Sequence, residues 1–222
     1  MSLISAEDRA LFSNVLPENA DSAKKAAFFE EIESYITNFL ALNEEINLTS
    51  IREPRMVFWK HFYDSLLPIQ YLPLGDLVDW GSGGGFPAVP IAFYRKHFCD
   101  AANMVTLLDS RAKKLSAISK LALPYKLNLS YAHSRGEEYH PSKSVCGVTF
   151  RAVAPPEKCL SWLTNEYPKW FFYISPDQVT AWNSIFTAKF SKKFNFKSIS
   201  LPELPFELGP RALIEIIPTK LR

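Results

Sequence analysis

The 222-residue sequence predicts a doubly wound α/β fold with a mostly parallel, seven-stranded sheet and an N-terminal helical extension. Two observations predict this class. From residue 76 onward, short apolar runs alternate with stretches of helical periodicity, which is typical of a parallel sheet covered by helices on both faces. The first apolar run, 77–80, leads directly into a glycine-rich segment, 81–85, as strands do at the ligand-binding edge of such sheets.

The N-terminal extension is predicted from apolar residues that recur every three or four positions over 21–42, with glutamates between them. Asp21 or Ser22 could cap the start of this helix. A second helix is predicted over 54–67, because Pro54 suits the first turn of a helix. This extension is too small and too acidic to be an independent catalytic unit.

A domain boundary is predicted after residue 68, with a helical segment over 1–68 and a ligand-binding domain over 69–222. The second part is predicted to begin with alternating strands and helices and to close with an antiparallel hairpin, whose long connection, 201–210, is rich in proline. The predicted strands are 77–80, 104–108, 127–131, 145–150, 170–174, 194–199 and 212–217, and the predicted helices are 86–97, 111–123 and one after residue 177.

Composition excludes several classes of protein. Hydrophobic residues make up 47% and charged residues 22%, as in ordinary globular domains. The three cysteines are odd in number and not closely paired, which disfavours a disulfide framework or a zinc site and indicates a reducing compartment. No apolar run is long enough to span a membrane, and the first ten residues have no signal-peptide pattern. We expect a cytoplasmic monomer with no metal and no membrane partner.

Charge is distributed unevenly along the chain. Residues 1–75 carry 6 Lys/Arg against 11 Asp/Glu, whereas residues 76–222 carry 19 against 12. Clustered positive charge attracts phosphates, so the second part could bind a polyanion. A solvated basic face without a partner explains the same asymmetry.

The glycine-rich loop favours one kind of ligand over another. A dinucleotide-binding loop would carry a third glycine where this sequence has Phe86, which disfavours a pyrophosphate ligand. Asp79, two positions before Gly81, suits a ligand with an ammonium group, as in the methionine portion of S-adenosylmethionine. The alternative is a tight strand–helix turn that binds no ligand.

Two further residues follow predicted strands. Asp109 ends the second strand, where an acid can accept both hydroxyls of a ribose. It could instead cap the helix that follows. Arg151 follows the fourth strand, which places a cation near the expected ligand site.

Six segments resemble one family, the RsmG (GidB) 16S ribosomal RNA guanine-N7 methyltransferases of bacteria. The most diagnostic are Asn-Leu-Thr at 47–49 and His-x-x-Asp-Ser-Leu at 61–66, because many methyltransferases share the glycine loop. The matching segments are 47–54, 61–66, 79–87, 107–110, 134–138 and 151–154, in the family's order and over roughly half of the chain.

The resemblance implies a Rossmann-like class I methyltransferase that uses S-adenosyl-L-methionine and acts on ribosomal RNA or the small ribosomal subunit. It implies that Arg151 is the cation of the catalytic site, and that Asn47, His61 and Asp64 lie on the substrate side. Together with the geometric argument, it predicts that the cofactor is bound by Asp79, Gly81, Ser82, Gly83, Gly85, Phe86, Asp109, Ser110, Arg135, Gly136, Glu137 and Arg151.

The substrate-side residues could also have purely structural roles. His61 and Asp64, which lie three apart on a predicted helix, could form a local hydrogen-bonded pair. Asn47 could be a turn residue. Methyl transfer to guanine N7 needs alignment rather than a strong base, since N7 carries no proton.

The sequence departs from the family at 173–177, where a Leu-Lys-Gly motif is usual, and at 155–156, which are both proline. The first departure removes a cation from the side where RNA would approach. A catalytically weak RNA-binding protein and a methyltransferase for a small molecule or protein therefore stay open as alternatives.

Overall fold

The computed structural model describes residues 3–100, 103–141 and 144–219. Its centre is a seven-stranded sheet with the order β3-β2-β1-β4-β5-β7-β6. The first five strands are parallel, and β7 is antiparallel to both of its neighbours. The predicted fold class is therefore confirmed. The strands are β1 Leu77–Trp80, β2 Val105–Asp109, β3 Leu129–His133, β4 Gly147–Arg151, β5 Trp170–Ile174, β6 Phe194–Leu204 and β7 Gly209–Pro218.

The strand order places the carboxyl ends of β1 and β4 side by side at the centre of one edge. The direction in which successive strands are added to the sheet reverses there, because β2 and β3 lie on one side of β1 and β4 and β5 lie on the other, all five in parallel. Ligands of doubly wound sheets bind at this switch point. The helices are α1 Ala6–Phe12, α2 Ser22–Ile46, α3 Pro54–Val57, α4 Asp64–Leu66, α5 Ala88–Phe98, α6 Ala112–Ala122, α7 Pro156–Ser161 and α8 Val179–Lys189.

Two apolar layers cover the sheet. One contains the N-terminal helices together with α5 and α6, and the other lies under α7 and α8. Because α2 packs against both α5 and α6, the N-terminal segment shares its core with the sheet. The boundary at residue 68 stays a prediction. In the part of the chain that the structure describes, no helix has the length and apolar character needed to cross a membrane.

The N-terminal helices differ from the predicted ones in extent. Asp21 caps α2 by accepting the Ala23 N–H, and α2 continues four residues beyond the predicted end to Ile46. Between α3 and α4 the backbone is a π-helix over Phe58–Tyr63, so the predicted single helix has an irregular centre. The sequence analysis missed α1, which is only seven residues long. It is stabilised by a capping box between Ser5 and Asp8.

The closing hairpin was predicted with a long connection, and this is wrong. β6 extends to Leu204 and β7 starts at Gly209, so only residues 205–208 connect them. Proline is tolerated here because β6 is an edge strand, and Pro202 lies at the irregularity between Leu201 and Leu204. β3 and β4 each start two residues later than predicted, at positions set by their pairing with β2 and β1.

Candidate active site

The glycine-rich segment forms the turn between β1 and α5 and folds over the end of β2. The backbone N–H groups of Gly81 and Ser82 both donate to the carbonyl oxygen of Leu108, at 2.7 and 3.1 Å. Gly81 has a φ of +76°, and a Cβ there would lie 2.8 Å from Val153, so only glycine fits this position without strain. The loop is therefore fixed to β2 on one side and packed against the segment after β4 on the other.

Asp79 lies beneath this loop and is 1% exposed. One carboxylate oxygen accepts the backbone N–H of Ala88, the first residue of α5, and the other accepts the Thr149 hydroxyl, both at 3.1 Å. Burial raises the pKa of Asp79 to about 7. The side chain that was expected to face a ligand's ammonium group therefore connects β1 to α5 and β4. Its contact with a ligand stays a prediction.

Asp109 ends β2 and is also buried, yet its pKa moves in the opposite direction. Burial alone would raise the pKa of Asp109, but hydrogen bonds from Arg111 and from the Gly83 N–H hold it below the usual value. The Arg111 guanidinium binds both carboxylate oxygens at 2.9 Å, and the Arg111 backbone N–H donates at 2.8 Å. Asp109 is therefore an ionised acid that bridges the glycine loop and the start of α6.

A cavity of about 360 Å³, here called the glycine-loop cavity, opens across the carboxyl ends of β1, β2, β3 and β4. Half of the predicted cofactor residues line it: Gly81, Asp109, Ser110, Arg135, Gly136 and Glu137. Six others lie outside its lining: Asp79, Ser82, Gly83, Gly85, Phe86 and Arg151. The other lining residues were not among the predicted cofactor residues, and the largest of their side chains are Trp80, Arg111, Lys158 and Trp162.

Two tryptophans shape one end of this cavity. A Cβ at Gly136 would overlap the indole of Trp80, so the glycine makes room for that ring. Trp162 stacks on Trp80 with ring centroids 5.5 Å apart, and its Nε1–H donates to Glu137 at 2.7 Å. Trp162 therefore spans the cavity from the end of α7 to the loop after β3. No local sequence signal marks it, because its partners are about 25 and 80 residues away.

A second cavity of about 420 Å³, here called the β4–β7 cavity, lies on the other side of the segment after β4. Residues Ala152, Val153 and Ala154 line both cavities and form a shared wall. Ala152 has a φ of +52°, an uncommon conformation for a residue other than glycine. The second cavity combines aromatic and charged side chains, among them Phe150, Phe172, Trp182, Asp64, Arg151 and Arg211.

Arg151, at the end of β4, connects the N-terminal helices to the sheet. Its guanidinium donates to the Ser65 hydroxyl at 2.9 Å, to the Lys60 carbonyl at 2.9 Å and to His61 Nδ1 at 2.8 Å. It also lies 3.7 Å from the Asp64 carboxylate. The predicted cation is therefore at the end of β4, but protein groups already surround it. Its contact with a cofactor or a phosphate stays a prediction.

His61 is held as a neutral ring. Burial and the neighbouring positive charge of Arg151 lower the pKa of His61 to about 3. Because Nδ1 accepts from Arg151, Nε2 carries the proton and donates to Thr49 Oγ1 at 2.9 Å. The ring stacks on Phe86 with centroids 4.4 Å apart. Phe86 thus contacts the helical segment rather than the glycine-loop cavity.

The two diagnostic motifs meet in space through these contacts. Thr49 of the Asn-Leu-Thr segment binds His61, while Asn47 ends α2 in a left-handed conformation with a φ of +55°. The Asn47 side chain accepts from Arg52 at 3.2 Å, as expected of a turn residue. His61 and Asp64 are linked through Arg151 rather than as a local pair.

The loss of a cation after β5 was also expected, and the structure changes that interpretation. Ile174 pairs with Ala212, so Arg211 on β7 lies at the register position opposite Ser175. Arg211 donates to Asp64 at 2.9 Å and lines the β4–β7 cavity. A positive charge is therefore present at this place, supplied by another strand, which the sequence analysis did not identify.

The amino-acid sequence of this chain matches a known protein family. A family model described as rRNA small subunit methyltransferase G (GidB) matches residues 29–197. Ribosomal RNA small subunit methyltransferase G of Pseudomonas entomophila is 34% identical over 58% of this chain and 58% of its own length. The proteins of the same name from Oenococcus oeni and Pseudomonas paraeruginosa are 37% and 32% identical, over 53% and 71% of this chain and 48% and 70% of their own lengths. The chain thus spans about half of the length of the first two relatives.

Solved structures share the fold at low sequence identity. The tRNA (m1A58) methyltransferase TrmI from Aquifex aeolicus superposes with a TM-score of 0.51 at 13% identity, over 71% of this chain and 68% of that one. A SAM-dependent O-methyltransferase from Thermotoga maritima gives 0.50 at 14% identity, over 82% and 72%. These likenesses support the fold alone. The match of the family model over 29–197 goes further, and by it the chain belongs to the rRNA small subunit methyltransferase G (GidB) family.

Proposed function

We propose that this chain is an S-adenosylmethionine-dependent methyltransferase that methylates N7 of a guanine in small-subunit (16S) ribosomal RNA. The observation that carries the proposal, beyond family membership, is that the two cavities adjoin along residues 152–154, which line both of them. A transferase needs two ligand sites that meet at one point, and this wall lies at the switch point of the sheet. One cavity would take the cofactor and the other the target base.

The glycine-loop cavity fits a nucleoside with a charged tail. Its volume of about 360 Å³ is in the range of small-ligand sites, and it places acids at two separate positions, Asp109 and Glu137. Asp109 would accept the ribose hydroxyls, and Glu137 would accept the adenine amino group. Ser82, at the glycine loop, has a buried hydroxyl with no hydrogen-bond partner among the described residues. When bound, S-adenosylmethionine would supply a methyl group on a sulfonium centre.

The β4–β7 cavity fits a flat base beside an anionic backbone. Buried Phe150, Phe172 and Trp182 give this cavity an apolar floor, and Arg211, which is bound to Asp64, adds positive charge. The guanine N7 lone pair is free to attack, so this side has to hold the base in line and exclude water rather than remove a proton. We propose that Arg151, His61 and Asp64 fix the position of the wall and of the bound base, with Asn47 shaping the turn behind them.

We further propose that the protein acts as a cytoplasmic monomer, with residues 69–222 as the cofactor-binding domain. The excess of Lys/Arg over Asp/Glu in residues 76–222, 19 against 12, supports ribosomal RNA or the small subunit as partner. The cations that line the glycine-loop cavity, Arg111, Arg135 and Lys158, belong to this part.

Two measurements test the proposal together. Isothermal titration with S-adenosylmethionine should give saturable binding that Asp109→Asn weakens at least tenfold, because a carboxylate that binds two hydroxyls is lost. Glu203→Gln, which removes an exposed carboxylate far along the chain on β6, is the matched control.

Tritiated methyl transfer to unmodified 16S RNA and to small subunits should label guanine N7, with 23S RNA unlabelled. Binding without transfer to either substrate would favour an RNA-binding protein, and absence of binding would reject the cofactor.

A further inference from the structure

We infer that Arg111 occupies the ribose-binding oxygens of Asp109 in the ligand-free protein and is displaced by the cofactor, so that Arg111 sets cofactor affinity by competition. The inference rests on the proposed cofactor. It concerns a residue that the sequence analysis did not single out. It predicts that a positive charge beside the binding acid weakens ligand binding.

The first step is a count of acceptor sites on Asp109. A carboxylate has about four lone-pair positions. Oδ1 accepts from the Arg111 backbone N–H at 2.8 Å and from Arg111 Nε at 2.9 Å. Oδ2 accepts from the Gly83 N–H at 2.8 Å and from Arg111 Nη2 at 2.9 Å. All four positions are filled, so no acceptor site is left for the two hydroxyls of a ribose.

The second step asks which of the four donors can leave. The two backbone N–H groups are fixed by the glycine loop and by the start of α6. The two guanidinium donors belong to a side chain that is 55% exposed, whereas the carboxylate of Asp109 is 2% exposed. The exposed guanidinium regains hydration when it leaves, and the two hydroxyls of a bound ribose would replace its donors on the buried carboxylate, so the exchange leaves no acceptor of Asp109 unpaired. Departure of the guanidinium frees two acceptor positions, the number that two adjacent hydroxyls require.

The third step separates competition from positioning. If Arg111 served to orient Asp109 for the ligand, its removal would weaken binding. The orientation of Asp109 does not depend on that side chain, because the two backbone donors hold one oxygen each. Removal of the guanidinium should therefore leave a correctly placed and unoccupied acid, and the two roles predict opposite signs.

The experiment is calorimetric titration of the full chain with S-adenosylhomocysteine, which binds without turnover. Arg111→Ala and Arg111→Gln should each lower the dissociation constant about three- to fivefold. Lys113→Ala, which removes an exposed cation from the same helical turn, should change it less than twofold. Raising the salt concentration should tighten binding to the wild type relative to Arg111→Ala, because salt screens the competing ion pair.

A second ligand pair isolates the hydroxyls. Arg111→Ala should bind adenosine more tightly than the wild type does but bind 2′,3′-dideoxyadenosine with unchanged affinity. Weaker or equal binding of S-adenosylhomocysteine by both Arg111 variants, each with a wild-type melting curve, would overturn the inference. Failure of the wild type itself to bind S-adenosylhomocysteine would instead reject the proposed cofactor, and the inference with it.

Discussion

The two cavities at the carboxyl edge of the sheet are built in different ways. The glycine-loop cavity is formed mainly by the loops that directly follow β1, β2, β3 and β4, and its acids bind groups at most 26 residues away in the sequence. The β4–β7 cavity takes Asp64 from the N-terminal helices and Arg211 from the last strand, 147 residues apart. The first is built mostly from neighbouring loops, whereas the second depends on contacts between distant parts of the chain. The two should therefore respond differently to substitution.

The largest effect on stability is expected from a substitution in the β4–β7 cavity. Arg151→Met should lower the free energy of unfolding by about 3 kcal/mol, because it leaves the Lys60 carbonyl, the Ser65 hydroxyl and His61 Nδ1 without their donor. Urea unfolding measures this. Arg135→Met, an exposed arginine at the glycine-loop cavity, should change the value by less than about 0.5 kcal/mol. Equal losses in the two variants would contradict the comparison.

A smaller loss of stability is expected from an added methyl group beside the glycine-loop cavity. Gly136→Ala should cost about 2 kcal/mol, because the new methyl group overlaps the buried Trp80 ring. In a double-mutant cycle measured by urea unfolding, Gly136→Ala should cost less in the Trp80→Val background than in the wild type, because the smaller side chain leaves room for the methyl group. If Gly136→Ala is as stable as the wild type, the tryptophan does not occupy the space assigned to it.

A pH-dependent effect is expected from the buried imidazole. The pKa of His61 is lowered to about 3 in the folded state, so between pH 6.5 and 3 the unfolded chain binds the additional proton and stability falls as pH falls. Between pH 7 and 5.5 the wild type should lose about 1 kcal/mol more than His61→Gln. Asp79, with its raised pKa, contributes a change of opposite sign to both proteins and cancels in their difference. Parallel stability curves for the two proteins would show that His61 is not held neutral.

The smallest effect is expected at the tryptophan that spans the glycine-loop cavity. Trp162→Phe keeps an aromatic ring against Trp80 but removes the donor to Glu137, which should cost about 0.5 kcal/mol. Thermal unfolding followed by circular dichroism is sensitive enough to detect this. If Trp162→Phe lowered the free energy of unfolding as much as Arg151→Met does, the glycine-loop cavity would be as sensitive to substitution as the β4–β7 cavity, which would contradict the comparison.

How much of the site could be predicted follows the same division. Gly81 and Asp109 were predicted to face a ligand because a strand, a turn and an acid follow one another in the sequence, and both line the glycine-loop cavity. The place of Arg151 at the end of β4 was predicted for the same reason, but its partners were not. They come from a helix about 90 residues earlier, and no local pattern encodes such a distance.

Arg211 and Trp162 show the limit more clearly. Arg211 lies in a strand whose predicted start, residue 212, excluded it, and its position depends on the pairing of β7 with β5. Trp162 follows a short helix that begins with proline and was not predicted. The fold class was predictable because alternating strands and helices have few compatible arrangements. The side chains that complete both cavities depend on register and long-range packing.

The wall of residues 152–154 makes the two cavities interdependent in size. Val153 is packed against Gly81, so the wall cannot move toward the glycine loop, and each atom added to it is taken from one cavity or the other. A substitution at Val153 therefore changes the space in both cavities. A redesign that enlarges one cavity must therefore take the volume of the other into account, because the side chains of residues 152–154 line both.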